Sequence, residues 1–176
     1  GQYLLVAVNV NGEEKIKPLS FSSSPTEKDH IEFTKKITES DLSSVEKTRG
    51  VIEVIGYYAN IVEVEHNNEK KYVFASGADP DDMKLLMESF SIGVEKGREL
   101  SSGDISNVNL GYNYQVPNKI FSKPVSINEK IIISGEKFKV VGFYESVGNP
   151  QDDSNIYLTE AGYKKIFTDT EEYSVL

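Results

Sequence analysis

The chain of 176 residues contains no cysteine. That absence removes thiol nucleophiles, zinc sites built on thiolates and disulfide bridges together. It leaves the compartment open, because a domain of this length can be stable outside the cell without disulfides. Hydrophobic residues make up 38% of the sequence and aromatic residues 10%, so the composition predicts a folded core rather than a disordered chain.

Basic residues are scarce, with 19 lysines and arginines against 28 acidic residues and a net charge of -9. A nucleic-acid surface needs clustered lysine and arginine to displace counterions from phosphates, and no such stripe occurs here. We therefore expect no nucleic-acid partner. The acid excess is typical of a solvated, solubilising face.

Long apolar runs are also missing: no stretch of 18 apolar residues occurs, so no segment of the chain is expected to span a membrane. The sequence nevertheless starts at once on the apolar run YLLVAVNV, and its first residue is Gly1 rather than methionine. We interpret the chain as a piece of a longer protein. We expect the full-length gene to encode an apolar helix just before Tyr3 and three more after Leu176.

The spacing of apolar residues predicts intermixed strands and helices. The predicted strands cover residues 3–10, 51–65, 71–76, 108–110, 130–134, 138–144 and 155–158. The predicted helices cover residues 38–47, ending at Gly50, then 77–87, with its start in Gly77–Asp82, and 114–121 and 159–167, whereas residues 17–36 read as a loop. Hairpin turns are expected at residues 11–12, 66–69 and 135–136.

This order of elements favours an α+β fold with a mixed β-sheet and helices on one side, rather than a doubly wound parallel sheet. The units at the two ends of the chain resemble halves of one subdomain. We therefore predict a first subdomain over about 1–78 plus 129–176, with a second subdomain over about 79–128 inserted into it.

The stretch GVEKGRELSSGD, residues 93–104, has the appearance of a phosphate-binding loop. A dinucleotide fingerprint requires G-x-G-x-x-G, and a P-loop requires G-x-x-x-x-G-K followed by serine or threonine. Neither template fits glycines at positions 93, 97 and 103. We predict instead that Gly97 and Gly103 provide backbone geometry and that Arg98 pairs with a carboxylate such as Asp104, in a strand leading into a tight turn.

Metal sites are equally unsupported. The cluster Asp79, Asp81 and Asp82 resembles part of a calcium loop, but Met83 and Lys84 stand where the third ligand and the turn glycine belong. Acidic residues at a helix N-terminus explain the cluster without an ion. Asp152 and Asp153 are interpreted as solvated loop acids.

No catalytic, cofactor-binding or metal-binding residue is assigned. The two histidines, His30 and His66, lie in polar stretches and are expected to be exposed, and no G-x-S-x-G nucleophile elbow occurs. Aromatic residues that could stack on a ligand are expected to fill the core instead. These are Tyr57, Tyr58, Tyr112 and Tyr114.

Six stretches, read in order from about Thr38 to Phe167, form a recognisable pattern. They are ITESDLSSVEKTRGVIEVIGYYA, ASGADPDD, IGVEKGRELSSGD, VNLGYNYQVPNKIF, ISGEKFKVVGFYES and DDSNIYLTEAGYKKIF. Together they resemble the MacB-like periplasmic core domain of ABC transporter permeases of the MacB/FtsX superfamily. The matching positions are Gly77, Asp79, Pro80, Gly97, Arg98, Asp104, Gly111, Gly135 and Gly142. Pro117 departs from the family, which has a helix rich in small apolar residues at that point.

The resemblance implies a single extracytoplasmic core domain over residues 1–176, at the cell membrane and without catalytic residues. It implies permease transmembrane helices, a second permease copy and a cytoplasmic ATPase as partners, with ATP-driven movement passed to the outer domains. An adaptor protein and a peptide, lipid or small-molecule cargo are further partners in this family. The alternatives are a stand-alone ligand-binding or adhesion module and, more distantly, a hydrolase.

Overall fold

The computed structural model describes residues 3–10, 13–21, 33–38, 54–168 and 172–175. The helix predicted over residues 38–47, the turn at residues 11–12 and His30 lie outside the described residues, apart from Thr38, which ends a strand. The chain divides into two compact units, Gly1–Gly56 with Glu171–Leu176, and Tyr57–Thr170.

The described residues of the first unit form four antiparallel strands. They are β1 (Tyr3–Val10), β2 (Glu13–Phe21), β3 (Phe33–Thr38) and the last strand of the chain, β11 (Glu172–Val175). β1 pairs with β2 along its whole length, β2 pairs with β3, and β3 pairs with β11. The loop predicted over residues 17–36 is therefore wrong at both ends. Pro18 is tolerated in β2 because pairing with β3 begins only at Ser20.

Seven strands belong to the second unit. They are β4 (Gly56–His66), β5 (Glu69–Ala78), β6 (Val94–Gly97), β7 (Asn107–Leu110), β8 (Lys130–Ile133), β9 (Glu136–Tyr144) and β10 (Ile156–Thr159). Of the predicted turns, the one at residues 66–69 is confirmed, whereas the one expected at 135–136 lies one residue earlier. Asn67 and Asn68 join β4 to β5, and Ser134 and Gly135 join β8 to β9, all four with positive φ as a two-residue hairpin turn requires.

The sheet of the second unit is mixed. The pairs β5–β10 and β7–β9 are parallel, whereas β4–β5, β10–β7 and β9–β6 are antiparallel. β8 is antiparallel to both β4 and β9, so the pairing returns to its starting strand through β4, β5, β10, β7, β9 and β8. A closed circuit of pairing requires the sheet to curl. Within it, β6 and β7 pair with opposite edges of β9.

Both helices of the second unit begin at the residues that the sequence indicates. Helix α1 (Pro80–Ser89) is capped by Asp79, whose carboxylate accepts from the Asp81 amide at 2.9 Å, with proline in the first turn. Its apolar face buries Met83, Leu86 and Met87, as predicted. Helix α2 (Glu160–Ile166) is capped by Thr159, which accepts from the Gly162 amide at 3.0 Å.

The helix predicted over residues 114–121 is wrong. At this point the structure has only a short 3-10 turn, Tyr112–Gln115, which ends where Val116 adopts extended dihedral angles. Pro117 accounts for this, because proline lacks an amide hydrogen and disfavours the helical conformation of the residue before it. Apolar spacing alone could not reveal the end of the helix.

Large aromatic and aliphatic side chains fill the core of the second unit, with tyrosine prominent. The largest fully buried ones include Tyr58, Tyr114, Tyr144, Tyr163, Phe138 and Phe143. The ring of Tyr163 in α2 stacks on Tyr58 of β4 at 5.2 Å and lies over Gly77, where a β-carbon would overlap it. Of the tyrosines considered as ligand platforms, Tyr58 and Tyr114 therefore belong to the core.

The structure confirms the α+β class and the mixed sheet. The insertion over about 79–128 stays a prediction. β7, which falls inside that range, pairs with β9 and β10 of the same unit. Within the described residues, no helix is long and apolar enough to cross a membrane.

Candidate functional site: the Arg98–Asp104 turn

The stretch from Gly93 to Asp104 forms strand β6 and then a tight turn against β9. Gly97, the last residue of β6, has φ 86°, and a β-carbon there would overlap the carbonyl oxygen of Val141. The next amide, that of Arg98, donates to the same carbonyl at 3.0 Å. At the end of β6 the backbone is in the left-handed region and lies directly against the Val141 carbonyl of β9. Only glycine, which has no β-carbon, fits both conditions.

Arg98 and Asp104 close the turn with a two-point ion pair. Arg98 Nη1 lies 2.5 Å from Asp104 Oδ2, and Nη2 lies 2.9 Å from Oδ1. Nη1 also donates to the carbonyl of Glu99 at 2.8 Å. The matched fork of guanidinium and carboxylate fixes direction as well as distance. The predicted pairing of Arg98 with Asp104 is confirmed.

The Asp104 carboxylate, which is only 5% exposed, collects further donors from within the turn. The Ser101 amide and hydroxyl donate to Oδ2 at 2.8 and 2.9 Å, and Asn107 Nδ2 donates to Oδ1 at 2.5 Å. The Arg98 guanidinium, followed by these donors, holds the pKa of Asp104 well below its usual range against the opposing effect of burial. Asp104 is therefore a structural anion.

The backbone of Asp104 connects the turn to the start of α2. Its carbonyl accepts from the Thr159 hydroxyl at 3.1 Å, while the same hydroxyl oxygen accepts from the Gly162 amide. Thr159 thus caps its helix and holds the turn with one oxygen. Because Thr159 is only 2% exposed, the bond is shielded from competing water.

A buried amide supports the turn from behind. Asn109 in β7, which is fully buried, donates from Nδ2 to the Arg98 carbonyl at 3.0 Å. Gly142 in β9 leaves the space for this contact, because a β-carbon there would overlap both the Arg98 carbonyl and the Asn109 side chain. A side-chain bond therefore joins β7 to the residue that follows β6, in addition to the ladder pairing of both strands with β9.

Glu99, next to Arg98, makes a separate contact with the core. Its Oε2 accepts from the Tyr144 hydroxyl at 2.8 Å, and the Tyr144 ring packs edge-on against Tyr157 at 4.8 Å. Burial, followed by the bond to Glu99, raises the pKa of Tyr144 far above its usual value. Glu99 and Asp104, which the Arg98 side chain contacts, are thus each held by further hydrogen bonds.

The remaining family-motif positions lie away from this turn. Gly77 lies under Tyr163, Asp79 and Pro80 start α1, and Gly135 turns the β8–β9 hairpin. Gly111 lies against the carbonyl of Asp153, where a β-carbon would overlap it. The structure therefore brings together Gly97, Arg98, Asp104 and Gly142 and leaves the others at separate points of close approach. Their role as a family motif stays a prediction.

Asp153 corrects the expectation of a solvated acid. It is only 6% exposed, and its carboxylate accepts from the Ser146 hydroxyl at 2.7 Å and the Val147 amide at 2.8 Å. Two hydrogen bonds satisfy the buried charge and fold the loop back on itself. Counting acids in a polar loop could not distinguish Asp153 from its exposed neighbour Asp152.

His66 also differs from the expectation, since it is buried rather than exposed, at 6%. The polar residues around it in sequence form the β4–β5 turn, whereas its own side chain lies on the inner face of β4. Among the described residues, no three histidine, cysteine or acidic side chains are grouped so as to hold a metal ion.

Comparison with known proteins gives one sequence match. The chain is 29% identical over 166 residues to the uncharacterized ABC transporter permease MJ1507 of Methanocaldococcus jannaschii. That match includes 94% of this chain but 40% of the relative, so the chain spans less than half of the relative's length. No family model matches.

Solved structures share the architecture at low sequence identity. The extracellular domain of the noncanonic ABC-type transporter YknZ from Gram-positive bacteria superposes with a TM-score of 0.62 at 19% identity, covering 80% of this chain and 71% of that one. The periplasmic region of MacB from Actinobacillus actinomycetemcomitans gives 0.60 at 15% identity, with 79% and 63% coverage. The chain has the MacB-like periplasmic domain fold. A domain of a putative permease from Porphyromonas gingivalis gives 0.54 at 9% identity, with 85% and 66% coverage.

In this MacB-like domain, several residues that hold the turn were missed by sequence reasoning. Asn107, Asn109 and Ser101 are ordinary polar residues in the sequence, and their role depends on strands that meet only in the folded chain. Thr159 is the first residue of the helix predicted over residues 159–167, but the sequence does not indicate its bond to the Asp104 carbonyl. No local pattern could have indicated that bond, because 55 residues separate the partners.

Replacing Gly97 with alanine should destabilise the MacB-like domain by at least about 2 kcal/mol, because the β-carbon would meet both a positive φ and the Val141 carbonyl. Gly103 is the matched control from the same stretch, since nothing lies within 4 Å of the place its β-carbon would take and its φ is not positive. Urea unfolding of Gly97→Ala and Gly103→Ala measures the difference. Equal free energies of unfolding would contradict the role given to Gly97.

Replacing Asp104 with asparagine should lower the free energy of unfolding by about 2 kcal/mol or more at pH 7, because it removes the anion that Arg98 and three further donors bind. Arg98 is half exposed, which keeps the cost at the low end for such pairs. Because the pKa of Asp104 is lower in the folded chain than its unfolded value near 4, ionised Asp104 stabilises the fold above about pH 4. This contribution is lost as the pH falls towards the folded-state pKa. The difference between wild type and Asp104→Asn should therefore shrink between about pH 5 and pH 2.

Asp81→Asn serves as the control for this pH series. Asp81 is an exposed acid in the first turn of α1, so its substitution should change the free energy of unfolding by less than about 1 kcal/mol. A wild-type advantage over Asp104→Asn that stays constant down to pH 2 would contradict the anchored-anion account.

Proposed function

We propose that this chain is a non-catalytic extracytoplasmic domain of an ABC transporter permease that passes ATP-driven movement outward and contacts an adaptor protein or cargo. The observation that carries the proposal is the sequence match across 94% of the chain to an ABC transporter permease. Extracellular and periplasmic domains of two ABC-type transporters share the fold, which supports the extracytoplasmic location.

A domain that transmits movement must keep its shape under load. The Arg98–Asp104 turn supports this requirement, because one buried carboxylate and its backbone connect β6, the start of β7 and the cap of α2. Asn109 adds a bond from β7 to the carbonyl of Arg98. Charge-assisted bonds in a shielded site resist deformation better than exposed surface pairs.

The partners follow from the same proposal. The domain would be attached to permease transmembrane helices at the cell membrane, face a second permease copy and respond to a cytoplasmic ATPase. Peptides, lipids and small molecules are the classes of cargo that the proposal includes.

The outer face of the β4–β5 hairpin best fits contact with an adaptor protein. Ile61, Tyr72 and Phe74 are 55%, 73% and 41% exposed on one face of paired strands. Exposed apolar side chains grouped in this way are typical of protein contact surfaces. Glu63 and Lys70 on the same face form a 2.8 Å ion pair, so the apolar residues are bordered by charge.

Double electron–electron resonance on the full-length permease with its ATPase tests the transmission of movement. This chain has no cysteine, so Lys84→Cys in α1 supplies one label in each permease copy once any cysteine outside the chain is replaced by serine. With ATP and vanadate, we expect the distance between the two labels to shift by several ångströms relative to the nucleotide-free state. Lys84 is exposed on the surface, so labelling should not disturb the core.

The same measurement is repeated with Asp104→Asn, and with Asp81→Asn as control. Asp104→Asn should broaden the distance distribution and reduce the shift, whereas Asp81→Asn should behave as wild type. A labelled permease whose distance does not respond to nucleotide, despite bound ATPase, would overturn the transmission proposal. A full-length gene without transmembrane helices would overturn the permease assignment itself.

A further inference from the structure

His66 is the last residue of β4, and its buried imidazole lies beside the polar β4–β5 turn. Its ring lies 5.3 Å from the ring of Phe121, tilted by 56°, and only 6% of the residue is exposed. The function proposed above makes no use of this histidine. Buried histidines that touch acidic groups change their interactions when they gain a proton.

Glu129 is the acidic partner. Its Oε2 lies 3.3 Å from His66 Nε2, and the Glu129 side chain is 46% exposed. The same carboxylate oxygen accepts from the Ser126 amide at 2.9 Å, and the Glu129 carbonyl accepts from the Val140 amide at 2.9 Å. Glu129 is therefore fixed to β9 through its backbone, while its carboxylate faces both the histidine and solvent.

The β4–β5 turn also holds the segment before Glu129. The Glu69 carboxylate accepts from the Ser122 amide at 3.1 and 3.3 Å, immediately beside Phe121. Hydrogen bonds to the Ser122 amide are the largest cause that lowers the pKa of Glu69. His66 and Glu69 thus contact two consecutive residues of one segment, and Glu129 lies a few residues further on.

The charged groups around His66 come from four elements. Glu65 comes from β4, Glu69 from β5, Glu129 from the turn before β8, and Lys130 from β8 itself. Asn67 places its amide nitrogen 3.3 and 3.4 Å from the two ring nitrogens. An open pocket of about 270 Å³, lined by His66, Glu129 and neighbouring polar residues, gives solvent access to the pair.

We propose that His66 and Glu129 form a pH-dependent clamp that holds residues 118–129 against the β4–β5 turn more tightly when His66 is protonated. Histidine is the side chain that changes charge in the neutral range, so the pair gains a charge–charge attraction on acidification and loses it as pH rises. The clamp goes beyond the proposed function, because it is a property of the domain alone. Only the statement that the clamp would experience the pH outside the cell rests on the proposed function.

A double-mutant cycle of His66→Gln, Glu129→Gln and the combined variant tests the clamp, with urea unfolding of the chain at pH 5.5 and pH 8.0. At pH 5.5 we expect the pair to be coupled by about two- to fivefold in the unfolding equilibrium constant, and at pH 8.0 by less than about twofold. His30→Gln, which changes the chain's other histidine, is the matched control. Coupling that is absent or equal at the two pH values would overturn the proposal.

A second measurement keeps the test decisive if His66→Gln fails to fold. Glu129 is half exposed, so Glu129→Gln should fold, and NMR can follow the His66 ring protons through a pH titration in both proteins. Glu129→Gln should move the His66 titration midpoint to lower pH and leave that of His30 in place. An unchanged His66 midpoint would show that Glu129 does not hold the imidazolium and would overturn the clamp. Neither result bears on the permease assignment.

Discussion

The carboxylate of Asp104 is the constraint on which the described part of the second unit depends most. It is nearly buried, it is negatively charged, and its donors come from Arg98, Ser101 and Asn107. Removing a charge from water is unfavourable unless donors replace the lost hydration, and these groups do so. Because the Asp104 carbonyl is bound by Thr159, the same residue also fixes where α2 begins.

This constraint explains why residues with the appearance of chemistry serve structure. A loop that binds phosphate presents free amides and a free cation to its ligand. Here the Arg98 guanidinium is bound by Asp104 and the Glu99 carbonyl, and the Ser101 amide is bound by Asp104. Gly97 and Gly142 provide close approach between strands rather than space for a ligand. The polar groups of the turn named here are therefore engaged with one another rather than with a ligand.

Local patterns predicted much of this molecule, and contacts between distant residues account for the errors. The two hairpin turns, predicted to within one residue, and the Arg98–Asp104 pair each involve residues close in sequence, so spacing revealed them. The burial of His66 and Asp153 depends on which face a strand or loop presents to the fold, which polarity alone does not determine. The early end of the helix predicted from residue 114 followed from Pro117, whose effect outweighed the apolar spacing.

Native-state hydrogen exchange of the chain tests most directly whether Asp104 joins these elements into one cooperative unit. The amides to compare are those of Arg98, bound to Val141, Ser101, bound to Asp104, and Gly162, bound to Thr159. The account predicts that all three share one free energy of opening, and that Asp104→Asn lowers all three together. Three unrelated opening free energies in the wild-type chain, or an effect of the substitution confined to Ser101, would contradict it.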